Sequence, residues 1–346
     1  MGDLLTIDGS EGEGGGQILR TALALSMVTG RPFEIVSLRA GRKRPGLRPQ
    51  HLAGVRAAAK ICSAAVTGDS IGSRTVRFEP GAVRKGTYEF DIGTAGSTSL
   101  LLHSLYLPLA LASGRTVLRL TGGTHVPFAP TFHYLEGQWA PLLRRIGIEV
   151  ELQLLRAGYY PEGGGQIRAK VRPAPSIQPL VLEARGRLKS LEGLSAVSNL
   201  PRSIGDRQRR RALQRLEEHG LYPGLQSVEL PSRGRGTALH LLAAFDGGAR
   251  ACFDALGARG KRAEAVADEA CDALLQFLST GGVIDGHAAD QLILPLALAV
   301  GPSRLRVPRI TSHLLTNAAV IQRFLDCRVA IDGAPDTEGS LTIVPA

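Results

Sequence analysis

The chain has 346 residues, of which 44% are apolar and 21% charged, with 41 Lys and Arg against 31 Asp and Glu. This composition excludes a disordered chain and supports one large core or two smaller ones. The net charge of +10 favours an anionic partner, a nucleotide or a nucleic acid, through long-range attraction.

In chain order, a glycine-rich turn followed by an apolar helix, a glycine and a strand occurs three times. It spans residues 13–38 (EGGGQILRTALALSMVTGRPFEIVSL), 95–120 and 281–307. These helices are apolar almost all round, which predicts packing on more than one side. Each unit continues with a more amphipathic helix, near 50–63, 131–145 and 314–325, and a strand, near 73–79, 148–155 and 326–332. Between the second and third units, residues 188–199 read as a strand, 202–219 as a helix, 225–230 and 236–245 as strands, and 261–279 as a helix. The expected fold class is therefore α/β (α+β): three repeated βαβ-type modules sharing a core. Residues 1–183 and 281–346 would form that core, with 184–280 an inserted small α/β domain.

The N-terminal MGDLLTIDGSEGE is acidic and carries no apolar signal segment. The apolar stretches near 100–113 and 291–300 are broken by His103, Pro108 and Pro295 and are too short for a bilayer. A soluble, cytoplasmic protein is expected. Cys62, Cys252, Cys271 and Cys327 lack metal-pair spacing and read as free thiols of a reducing compartment.

Several segments carry possible chemistry. The turn Asp8–Gln17 (DGSEGEGGGQ) follows a strand and opens a helix, so its glycines let backbone approach an anion at a helix N-terminus. It is neither a P-loop nor a Rossmann fingerprint. Glu11 and Glu13 would repel a phosphate unless a divalent cation lay between them. The loop from Arg39 to His51, with Arg42, Lys43, Arg44 and Arg48 shaped by two prolines, suits phosphate. Gly158–Gln166 (GYYPEGGGQ) leads into a strand, and its Tyr159 and Tyr160 read as packing residues at a module junction or as stacking platforms for a base. Asp285-Gly-His287-Ala-Ala-Asp290 opens the third apolar helix, where Asp290 suits the helix dipole. His313, within Thr311–Asn317 (TSHLLTN), precedes the last helix. The cluster Arg207–Arg211 reads as a solvated helix face or an RNA-facing patch. No zinc-type cluster is visible in the spacing of Cys and His, and there is no nucleophilic serine elbow.

Taken together, DGSEGEGGGQILRTALALS, RAGRKRPGL with Gln50-His51, GTAGST, GYYPEGGG, HAADQL and SHLLTN occur in an order that resembles the RNA 3′-terminal phosphate cyclase family. The similarity covers nearly the whole chain and is weakest at 184–280. The resemblance implies three modules like the C-terminal domain of a translation initiation factor, with an inserted domain. It implies ATP and a divalent cation (Mg or Mn) as cofactors and an RNA with a 3′-terminal phosphate as partner. The family's nucleophile falls on His313, and its other catalytic positions on Arg20, Arg42 and Asp290. Its nucleotide site falls on Glu13, Gln17, Arg39, Gln50, His103, Pro130, His287, Asp290 and Gln291, with Glu13 as the metal ligand. The implied reaction passes through an adenylyl-histidine and an RNA adenylate to a 2′,3′-cyclic end. A neutral imidazole is needed, and Asp290 is the expected acceptor for its other nitrogen. His103 stands where the family has glutamine and His287 where it has tyrosine, which bears on nucleotide preference. Three rivals stay open: a non-catalytic relative binding RNA in ribosome assembly, an enolpyruvyl transferase, and a general polynucleotide-end adenylyltransferase.

Overall fold

A computed structural model describes residues 3–345; Met1, Gly2 and Ala346, included in the expected core limits, lie outside them. The first repeat folds as β1 (Leu5–Asp8), α1 (Gln17–Thr29), β2 (Phe33–Val36), α2 (Pro49–Cys62), β3 (Ala65–Thr67) and β4 (Val76–Glu79). Its strand order is β1-β2-β4-β3, with β1 and β2 parallel and the other pairs antiparallel. A parallel pair needs a crossover, which α1 supplies. The second repeat comprises β5 (Thr87–Asp91), α3 (Thr98–Leu111), β6 (Thr116–Gly122), α4 (Phe132–Tyr134), a π-helical turn (Leu135–Trp139), α5 (Ala140–Arg145), β7 (Val150–Arg156) and β8 (Gly165–Val171). Its order, β5-β6-β8-β7, is the same.

The strand β9 (Val181–Leu182) comes next, followed by β10 (Leu188–Ser198), α6 (Arg202–Glu217), β11 (Gly224–Glu229), β12 (Gly236–Phe245), β13 (Arg250–Leu256) and α7 (Ala263–Leu278). β10 to β13 form a sheet of their own, ordered β11-β10-β12-β13, with α6 and α7 packed against it. β13 is absent from the sequence reading. The chain ends with α8 (Gly286–Leu296), β14 (Ser303–Val307), α9 (Ser312–Phe324), β15 (Arg328–Asp332) and β16 (Gly339–Val344). β9 pairs in parallel with β14 in the order β9-β14-β16-β15. The third repeat therefore has its first strand at Val181–Leu182, not near 281. A two-residue strand is too short to carry a periodic signal.

β14 alternates buried and exposed residues and β8 buried and half-buried ones, so these sheets turn one face to the core and the other outward. The helices of the repeats fill the space between sheets: α1 packs on α2, α3 and α9, and α8 packs on α9. This is why α1 and α3 are apolar all round. Ile18, Leu23 and Leu25 of α1 and Leu102, Leu105 and Leu107 of α3 are all buried. The run GYYPEGGG is glycine-rich because two backbones touch there. A Cβ on Gly165 would stand 2.5 Å from the Gly158 nitrogen.

The arginine cluster of α6 is mostly engaged by α7. Arg207, Arg211 and Arg215 face Glu264, Asp268 and Asp272 at 3.8, 2.7 and 2.8 Å, and Arg209 donates to the Leu225 carbonyl. Solvent screens such half-exposed pairs, so they add little to stability. Tyr159 is buried against the intervening sheet, with its hydroxyl 3.4 Å from Ser198 Oγ, whereas Tyr160 is exposed. Cys62, Cys252 and Cys271 are buried free thiols, and Cys327 is half-buried and free. Among the described residues no helix is long and apolar enough to cross a membrane.

Candidate active site

Two distant segments are stitched together at the glycine-rich turn. The Glu13 amide donates to Thr316 Oγ1 (3.0 Å), while Gln17 Nε2 and Thr21 Oγ1 both donate to Asn317 Oδ1 (3.0 and 2.6 Å). Asn317 Nδ2 in turn donates to the Asp290 carbonyl at 2.9 Å. The last two residues of SHLLTN therefore lock the starts of α1 and α9 and the first turns of α8 to one another. His313, in the first turn of α9, is brought to 3.9 Å from Glu13 Oε1. Glu13 is also ion-paired with Arg42.

Beside this junction lies a cavity of about 660 Å³. Of the expected site residues, Gln17, Arg20, His103, Pro130, His287, Asp290, Gln291 and His313 line it. The first turns of α1, α8 and α9 all reach its wall through Gln17, His287 and His313. A helix N-terminus presents free N–H groups and about half a positive charge. The start of α1, which has no side-chain cap, and Arg20 make a wall suited to an anion, while side chains cap α8 and α9.

Glu13 and Arg42 stand at the edge beside His313. Arg39 and Gln50 stand further back. Arg39, with φ of 56°, donates from Nη1 to the carbonyls of Arg44 and Gly46 at 2.9 Å, holding the basic loop in shape. Gln50 Oε1 accepts from the Ser97 amide at 2.8 Å and so fixes the GTAGST turn against α2.

Burial sets the protonation states. The His313 imidazole is pushed down to about 4, first by desolvation and then by Arg20, His287 and Arg42, so it is neutral at pH 7. Burial also pushes His103 down to about 3. Its Nε2 and Gln291 Oε1 are buried without hydrogen-bond partners. Burial raises the Asp290 carboxyl to about 8, with Arg20 opposing the shift and Asp285 adding to it. Desolvation lowers Arg20 to about 10, yet a guanidinium stays charged. Asp290 does not come within ion-pair distance of His313; the acid there is Glu13. The expectation that Asp290 orients the imidazole is therefore not what the geometry shows.

The raised Asp290 has a measurable consequence. Its folded value of about 8 exceeds the ordinary 3.8, so between these values the folded chain holds a proton that the unfolded chain has lost. Stability must then fall as pH rises through that window, by up to about 1.4 kcal/mol per pH unit. Asp290→Asn is expected to flatten the decline in denaturant midpoint between about pH 5 and about pH 8; an unaltered slope would assign it to other groups.

Several wall residues went unassigned in the sequence. Asp285 caps α8, accepting from the His287 and Ala288 amides at 2.8 and 3.1 Å, and is reached by Tyr134 and Gln138. Phe128, at φ 62°, is fully exposed on the rim. Asp254 arrives from β13 and Arg309 from the loop before α9. An Asx residue before a helix was a usable signal for Asp285. The other three had none, because only long-range packing places them.

The fold and this site define a mixed α/β enzyme. A family model described as "RTC: RNA 3'-terminal phosphate cyclase" matches residues 11–331. A relative from Caldivirga maquilingensis is 45% identical over 333 residues, covering 94% of each chain. One from Nostoc punctiforme is 42% identical over 338 residues, covering 96% of this chain and 97% of its own. Another, from Methanopyrus kandleri, is 42% identical over 349 residues and covers 99% of each. All three are named RNA 3'-terminal phosphate cyclase. The chain belongs to the RNA 3′-terminal phosphate cyclase family, whose members are enzymes of the ligase class.

Proposed function

We propose that this chain uses ATP to convert an RNA 3′-phosphate into a 2′,3′-cyclic phosphodiester, with His313 as the covalent nucleophile. The observation that carries this reading is a neutral imidazole in the first turn of α9, at a cavity walled by helix N-termini and Arg20. A lone pair of His313 forms an N–P bond to the α-phosphorus, and the P–O bond to pyrophosphate breaks. An oxygen of the RNA 3′-phosphate then attacks the adenylyl phosphorus, and the N–P electron pair returns to imidazole. Finally the ribose 2′-oxygen attacks the 3′-phosphorus, losing its proton, and AMP departs. The closing nucleophile is already on the substrate, so proximity supplies much of the rate. Passing through histidine divides one hard displacement into easier ones.

Arg20 and Arg42 would balance charge on the transferred phosphoryl group, with Gln17 holding Arg20 in place. Arg39 and Gln50 would act by shaping the loop and turn around the phosphates. Pro130 and His287 would flank the base, while the unpaired His103 Nε2 and Gln291 Oε1 suit its polar edge. Protonated Asp290 would donate to a ligand oxygen. Glu13 Oε2 is buried without a hydrogen-bond partner, which fits a hard cation such as Mg or Mn beside it. When bound, that ion would neutralise phosphate charge. We assign residues 1–183 and 281–346 to this core and 184–280 to an inserted unit, supported by their separate sheet, and place the enzyme in the cytoplasm.

The test is a 3′-phosphorylated RNA with ATP, compared with the same strand ending in 2′-deoxyribose. The ribose end is expected to become phosphatase-resistant and cyclic, and the deoxy end to stop as the adenylate. Adenylate on both ends and a ring on neither would favour the end-adenylyltransferase reading.

A further inference from the structure

Behind the wall of this cavity, where the second repeat meets the intervening sheet, three histidines converge. His125 lies in the loop after β6, His133 in α4 and His240 on β12. One ligating nitrogen from each lies within 4.8 Å of the others. No spacing of Cys and His revealed this, since the third member is more than a hundred residues from the first two. We propose that His125, His133 and His240 form a three-histidine site for a zinc-class divalent metal, pinning the intervening sheet to the second repeat. The site is independent of the reading of His313.

The arrangement around the nitrogens is that of a site built for ligation. His240 and Asp254 are directly opposed across the antiparallel strands β12 and β13. The His240 Nδ1–H donates to Asp254 Oδ1 at 2.5 Å, and Asp254 Oδ2 accepts from Thr131 Oγ1 at 2.6 Å. This carboxylate fixes the tautomer and leaves the Nε2 lone pair free, as second partners of metal-bound histidines do. Yet His240, only 3% exposed, has a buried Nε2 with no hydrogen-bond partner. A buried polar atom left so is costly, and a metal ion would satisfy it. On His125, Nδ1 is 2.7 Å from Thr124 Oγ1, and Nε2 is 3.0 Å from His133 Nδ1. Tetrahedral bonds of about 2.0–2.1 Å would separate two nitrogens by about 3.3 Å, a small change.

Three imidazole nitrogens suit zinc or cobalt, whereas magnesium prefers oxygen. Water would complete the four-coordinate shell.

The experiment uses full-length chain stripped with chelator and titrated with cobalt, then zinc. Visible bands of tetrahedral cobalt at about one ion per chain, bleached by zinc, are expected. They should vanish in His240→Ala and in His133→Gln, the latter a polar replacement at a half-buried position, and persist in His313→Ala. Asp254→Asn, which keeps all three ligands, should weaken zinc binding by about 10–100-fold. Absence of bands in the wild type, or bands surviving His133→Gln in folded protein, would overturn the site. So would bands lost in His313→Ala, which would place the metal at the catalytic cavity instead.

Discussion

Replacing His313 by alanine is expected to abolish covalent transfer of label from ATP labelled at the α-phosphate. The drop should be about 10⁴-fold or more, because no other group takes over when a nucleophile is removed. The wild-type adduct should be acid-labile and base-stable, as a phosphorus–nitrogen bond requires. Its pH profile follows from the burial of the imidazole. With His313 pushed down to about 4, the neutral form predominates throughout the physiological range. Labelling should therefore hold nearly level from about pH 7 to about pH 5 and fall on the acid side only as the ring protonates below that. Label retained by the alanine variant would remove His313 from the chemistry.

Arg20→Ala should lower the labelling rate by about 10²–10³-fold, the usual effect of deleting one aligned donor to a developing anion. It should also move the acid limb upward. Arg20 is the foremost of the charges that hold His313 in its neutral form, so its removal lets the imidazole protonate at higher pH. Asp290 should shift upward too, since Arg20 is the cation opposing its protonation. Lysine is not expected to restore the rate, because it lacks the planar fork that Gln17 orients. An unchanged acid limb in a folded variant would refute the electrostatic role, even if the rate fell. The two substitutions are thus distinguishable: His313→Ala removes the adduct, and Arg20→Ala slows it and displaces its pH dependence.

Much of the architecture is local and was therefore legible in the residues. The apolar runs at 17–29 and 98–111 are helices because their periodicity and glycine-rich boundaries act within a few residues. The three-fold recurrence of turn, helix and strand was visible for the same reason. β9 and β13 were not. Two residues cannot show alternation, and RACFDAL becomes a strand because β12 offers it a pairing edge.

At the site, the residue types at each motif were readable and their partnerships were not. The sequence by itself determined that His313 lies at the approach to the last helix, that glycines precede α1, and that cations crowd the loop at 39–51. Only the tertiary structure decided that Thr316 would hold the Glu13 amide across 303 positions, and that Glu13 rather than Asp290 would stand beside the imidazole. It alone decided that Asp290 keeps its proton, and that His125, His133 and His240 converge. The reason is physical: helix and turn preferences are properties of neighbouring residues, whereas desolvation and ligand convergence depend on which distant surfaces the core draws together.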